Sequence, residues 1–74
     1  MPPPTAEQAA AIRLAIECIM DAARLGGDLG APSGVIYAAL TAHGMTLSVY
    51  EQLVDYLVRK NRITLQGNLI RLAA

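Results

Sequence analysis

Cysteine and histidine occur once each in this chain, as Cys18 and His43, and tryptophan and phenylalanine do not occur at all. A single cysteine forms no internal disulfide and no thiolate zinc cluster. A single histidine, with no second ligand at recognisable spacing, gives no metal set to expect. Charged residues are scarce, at 16%, and cancel to a formal net charge of zero. A long clean apolar run is also missing. Arg13, Glu17, Asp21 and Arg24 interrupt the most apolar helical stretch well before the roughly 20 residues of a membrane span. The opening MPPPTAEQ lacks the basic start and apolar run of a signal peptide, so the expected setting is the cytoplasm, with no membrane partner. Catalysis is not expected, because acid–base or nucleophilic chemistry requires a base with an orienting partner in a pocket. Nor is a cofactor: no strand precedes Gly26, Gly27 and Gly30, and no Lys-Ser/Thr pair follows them.

What is abundant is apolar surface. Hydrophobic residues make up 54% of 74 residues, more than so small an interior readily hides. Some of it should remain for a partner, and the cheapest partner is a second copy, since most soluble oligomers are symmetric homo-oligomers. A homodimer is therefore expected. Charge is unevenly placed. Residues 1–55 set Arg13 and Arg24 against Glu7, Glu17, Asp21, Asp28, Glu51 and Asp55, a net −4, whereas residues 56–74 hold Arg59, Lys60, Arg62 and Arg71, a net +4.

Pro2, Pro3 and Pro4 read as a flexible Pro-rich leader over residues 1–4, ahead of one domain over 5–74. Thr5 with Gln8 has the capping-box pattern and should start a first helix. Ile12, Ile16, Ile19 and Ala23 recur at helical spacing and should face the core. Leu14, Cys18 and Leu25 form a second stripe, assigned to dimerisation. Cys18 also has the plainer reading of a small buried hydrophobe. The paired glycines Gly26 and Gly27 end this helix. A short second helix opens near Pro32 or Ser33, with Val35, Ile36, Ala39 and Leu40 inward, and closes at His43-Gly44. His43 there suits the negative end of the helix. A third helix starts from a cap at Thr46 or Ser48, the latter forming a capping box with Glu51. Its core positions are Val49 or Tyr50, Leu53, and Tyr56 or Leu57, and Asn61 is its left-handed stop.

The hairpin that follows has a register fixed by side-chain alternation. With Gly67 and Asn68 as the turn, Gln66 faces Leu69, Leu65 faces Ile70, Thr64 faces Arg71 and Ile63 faces Leu72. Moving the turn back one residue would oppose Arg62 to Arg71 and break the apolar stripe. In the chosen register all four large aliphatic side chains share one face and should lie against the helices.

The fold class is thus mainly α with a C-terminal β-hairpin. Ser33 to Ala42, Gly44 to Leu47, Ser48 to Lys60, then Asn61-Arg62-Ile63 and the hairpin to Leu72 resemble a small bacterial winged helix-turn-helix protein. The resemblance covers about residues 31–72. It implies a three-helix winged helix-turn-helix, and for most such proteins duplex DNA binding, with the third helix in the major groove and the wing on the backbone. The expected function is a small DNA-binding transcriptional regulator acting as a homodimer. Its expected DNA-contacting residues are Ser48, Gln52, Arg59, Lys60, Arg62, Gln66, Asn68 and Arg71. The alternative is a winged-helix protein-interaction module without DNA binding, because Glu51 and Asp55 stand on the exposed face of the third helix, where phosphate would approach. Asp55 and Arg59, four residues apart, also read simply as a surface ion pair.

Overall fold

In the computed structural model, which describes residues 5–73, three helices and a three-stranded antiparallel sheet follow in the order α1 (Ala6–Gly26), β1 (Ala31–Pro32), α2 (Ser33–Thr41), α3 (Leu47–Arg59), β2 (Ile63–Gln66) and β3 (Leu69–Leu72). A 3-10 turn at Gly27–Leu29 links α1 to β1. The layout is that of a three-helix winged helix-turn-helix. The Pro-rich leader inferred for residues 1–4 lies outside the described residues, as does Ala74.

α1 begins as its sequence demands. The Thr5 hydroxyl accepts from the Gln8 amide at 3.1 Å, while the Thr5 amide donates to the Gln8 side-chain carbonyl at 2.9 Å, so two amides without helical acceptors are satisfied together. Gly27, at φ +54°, stops it. α3 begins at Thr46, whose hydroxyl accepts from Val49; Ser48 is already inside the helix and does not cap it. Asn61 at φ +58° ends that segment and turns the chain into the wing, the left-handed role that asparagine tolerates.

The hairpin has the register that alternation dictates: Ile63 opposite Leu72, Thr64 opposite Arg71, Leu65 opposite Ile70 and Gln66 opposite Leu69. The turn needs a positive φ only at Gly67, not at Asn68. Of the four aliphatic side chains on the inner face, Ile63 and Ile70 are fully buried, whereas Leu65 and Leu72 are about two-fifths exposed. The expectation that all four would pack on the helices is corrected: each cross-strand pair has one member beneath the helices and one beyond their edge.

The sheet contains a strand that alternation does not reveal. Ala31 and Pro32 pair with Ile70 and Leu69, which places β3 in the middle, in the order β1-β3-β2. The Ser33 amide adds a 2.7 Å bond to the Asn68 carbonyl, tying the start of α2 to the wing turn. Gly30 permits this approach. Its φ is +80°, and a Cβ there would lie 3.2 Å from both Leu69 Cβ and Arg71 Cγ.

One apolar cluster unites the elements: Ala15, Ile19 and Ala23 of α1, Ala31 of β1, Ile36 and Leu40 of α2, Tyr50, Leu53, Val54 and Leu57 of α3, with Ile63 and Ile70 of the hairpin. Ile12 and Ile16 flank the α1 contact rather than centre it, and small Ala15 and Ala23 let the sheet and α2 come close. Val35 and Ala39, expected inside, are exposed; α2 is apolar on nearly every side, so its inner face is chosen by where β1 anchors it. Val49 and Tyr56 likewise yield to Tyr50 and Leu57 as core positions.

Candidate functional site

α3 carries its exposed row in a helical line: Ser48, Gln52, Asp55 and Arg59 are all open to solvent, with Glu51 beside them. Asp55 and Arg59 form the i,i+4 ion pair, at 3.2 Å. Such an exposed pair contributes no more than about 1 kcal/mol and is readily exchanged for another partner.

The eight residues assigned to DNA contact fall into three separate places. Ser48, Gln52 and Arg59 lie along α3. Lys60 and Arg62 are exposed at the base of the wing, where Lys60 Nζ sits 5.8 Å from the Tyr56 ring centre. Lys60 lies nine positions after Glu51, about half a turn in helical phase, so it points away from the side of α3 that carries Glu51 and Asp55. Gln66, Asn68 and Arg71 belong to the wing. Arg71 is committed internally: its Nε donates to the Asp28 carbonyl at 2.8 Å and one Nη donates to the Gln66 side-chain oxygen at 3.2 Å. It fastens the outer face of the sheet to the 3-10 turn.

Between α3, the start of α2 and the wing tip runs an open groove of about 570 Å³. Its floor is apolar, from Tyr37, Val54 and Val58, with half-exposed Leu47 and Leu65 at its mouth, and its rim carries Glu51, Asp55 and Asn68. Tyr50 underlies it. The Tyr50 hydroxyl donates to the Ser33 carbonyl at 3.1 Å and lies 2.8 Å from the Ser33 Oγ, which fixes α2 against α3. The Tyr37 ring, 5.2 Å away and tilted by 48°, packs on it. Burial pushes the Tyr50 hydroxyl above the ordinary tyrosine value of 10.0, against the lowering effect of its Ser33 hydrogen bond, so it stays neutral at physiological pH.

Tyr37, Leu47, Glu51 and Leu65 thus belong to the candidate site although sequence reasoning did not place them there. The available signal was Leu47, an aliphatic residue in the first turn of α3 where the core stripe has no use for one. Among the described residues no group of three or more potential metal ligands occurs, and no helix is long and apolar enough to cross a membrane. Leu14 and Leu25, assigned to dimerisation, are exposed on α1, whereas Cys18 is half-buried and packs against the core. Comparison with known protein families, curated proteins and solved structures finds no match to this chain.

Proposed function

We propose that the chain is a winged-helix interaction module whose α3–wing groove receives a protein segment carrying an aliphatic or aromatic side chain with a lysine or arginine close by. The groove itself carries this reading: an apolar floor that would desolvate such an anchor, edged by the carboxylates of Glu51 and Asp55. Glu51 has no ion-pair partner among the described residues, so a cationic side chain would meet an available charge. The same features weigh against duplex DNA at this face. Phosphates would approach two carboxylates, and half-exposed Leu47 occupies the start of α3, from which base-contacting side chains usually reach.

The second reading is a DNA-binding transcriptional regulator. It is favoured by the layout of α2, turn, α3 and wing, and by the exposure of Ser48, Gln52, Arg59, Lys60 and Arg62. Polar α3 side chains would reach base edges and the base of the wing would meet phosphate.

One pair of titrations separates the two. Isotope-labelled protein is mixed with short peptides that combine leucine or phenylalanine with arginine, and separately with mixed-sequence duplex DNA at low salt. The interaction reading expects amide shifts at Leu47, Glu51 and Leu65 with the arginine-bearing peptides, lost in a Glu51→Lys variant. It is refuted if those peptides leave the spectrum unchanged while DNA shifts Ser48 and Gln52 with an affinity falling about 0.9 log units per log unit of salt for each neutralised phosphate.

A further inference from the structure

The outer face of α1 carries a largely apolar row that the core uses only at half-buried Cys18 and that Asp21 interrupts. Ala11, Leu14, Cys18, Asp21 and Leu25 succeed one another in alternating steps of three and four residues, the spacing of a coiled-coil seam. The row is rotated away from the buried line of Ala15, Ile19 and Ala23. At its C-terminal end Leu25 is 88% exposed, and towards the N-terminal end Leu14 is 53% exposed. Beside Leu14 lies a second groove, of about 380 Å³, whose lining includes Ile12, Ala15, Leu40, Met45 and Val49. A protruding aliphatic side chain and an apolar hollow thus occupy opposite ends of one helix face. Such a surface is complementary to itself under a two-fold rotation.

We propose that a second copy of this chain docks antiparallel along α1, Leu25 of each copy entering the groove beside Leu14 of the other. Setting Leu14 opposite Leu25 of the second copy places the two-fold axis midway between Ile19 and Met20. Charge then selects the same arrangement. In that register Glu17 flanks the seam about 3 Å along the axis from the level of Arg24 of the second copy, within reach of its long side chain, and the symmetry makes this ion pair twice. Glu17 has no ion-pair partner among the described residues. Arg24 touches its own Asp21 at 3.1 Å, with both side chains about two-thirds exposed, and keeps donors free for Glu17 of the second copy. A parallel in-register pairing would set Asp21 level with Asp21 and leave both grooves empty, whereas the antiparallel one sets Asp21 level with Cys18 and close to its own Arg24. The dimer is independent of what the α3–wing groove binds, since α1 contributes none of that groove's lining.

The test joins sedimentation with cross-linking. Leu14 and Leu25 are eleven residues apart, about 16 Å along one helix, so cysteines at the two positions cannot bridge within a chain. In a Cys18→Ser background, mild oxidation of Leu14→Cys mixed with Leu25→Cys should yield a covalent dimer joining one of each. A Val35→Cys variant, also well exposed but on α2, should not form one. Glu17→Arg alone should weaken self-association at least tenfold, and Glu17→Arg with Arg24→Glu should recover most of it. Apart from half-buried Cys18, for which serine is nearly isosteric, these side chains are exposed, so circular dichroism should show unchanged helix content. The proposal is overturned if the native chain sediments as a monomer at about 100 µM, a concentration at which any dimer tighter than that would form. It is equally overturned if a dimer forms but positions 14 and 25 do not bridge, or if the charge exchange fails to restore association.

Discussion

Leu65 and Ile70 face each other across the hairpin on the same side of the sheet, and the structure gives them very different weights. Ile70 is 0% exposed, between α1 and β1, whereas Leu65 is 43% exposed at the mouth of the α3–wing groove. Truncating a fully buried isoleucine to alanine costs about 2–5 kcal/mol, because the lost burial is joined by a cavity that neighbours fill only partly. Ala15 and Ala31, also buried, are too short to reach into such a space, so about 3 kcal/mol is expected. Full burial of a leucine contributes about 1.5–3 kcal/mol; with little more than half of Leu65 covered and water free to fill its place, Leu65→Ala should cost about 1–1.5 kcal/mol. At roughly 0.05–0.15 kcal/mol per residue, the whole domain holds about 4–11 kcal/mol. For a chain of this size 1 kcal/mol moves Tm by about 4–8 °C. Calorimetry should therefore place Ile70→Ala about 12–24 °C below the native protein and Leu65→Ala about 4–12 °C below it. Leu65→Asp should still fold, because the carboxylate reaches water at the groove mouth. Equal losses for the two alanine variants, or a larger loss for Leu65→Ala, would refute the division of the wing into covered and uncovered halves.

Tyr50→Phe removes a donor to the Ser33 carbonyl and the partner of the Ser33 Oγ, and should lower stability by about 1–3 kcal/mol in thermal melts at neutral pH. Because the folded state holds the Tyr50 hydroxyl above its unfolded value of 10.0, native stability should be flat in this group below that pH and fall as pH rises beyond it, while the unfolded chain ionises first. Urea titrations at stepped alkaline pH should show that fall diminished in Tyr50→Phe. Gly30→Ala meets both an unfavourable φ of +80° and contacts at 3.2 Å, and should cost about 1–3 kcal/mol, whereas Gly67→Ala, which meets only the φ of +61°, should cost less in the same denaturation series.

The hairpin was legible because side-chain alternation and a Gly-Asn turn admit one register, and the ends of α1 and α3 because hydroxyls and asparagine act through bonds to neighbours in sequence. β1 was not. Two residues carry no alternation, and Pro32 suits an edge strand only because its partner demands no donor from it. The inner face of α2 was blurred by a run, Gly34 to Leu40, with no polar side beyond the Tyr37 hydroxyl. In the candidate site the Asp55–Arg59 pair could be read from its spacing. The bond from Arg71 to Asp28 could not, because it spans 43 residues and depends on Gly30 letting the strands close up. Which half of the wing lies beneath the helices likewise depends on helix position, not on the strand's own pattern.

The central strand of the sheet is also the last in the chain. Until β3 exists, neither β1 nor β2 has a partner, and the core lacks Ile70. During synthesis α1, α2 and α3 would therefore emerge as amphipathic helices with their common floor missing. Pairing Ala31 with Ile70 then closes a loop of more than half the domain, α2 and α3 included, an entropy cost met late and in one step. A nascent chain halted before Leu69 should remain protease-sensitive, and one extended past Leu72 should become resistant abruptly rather than helix by helix. The order of the strands makes folding of this domain wait for its final hairpin strand.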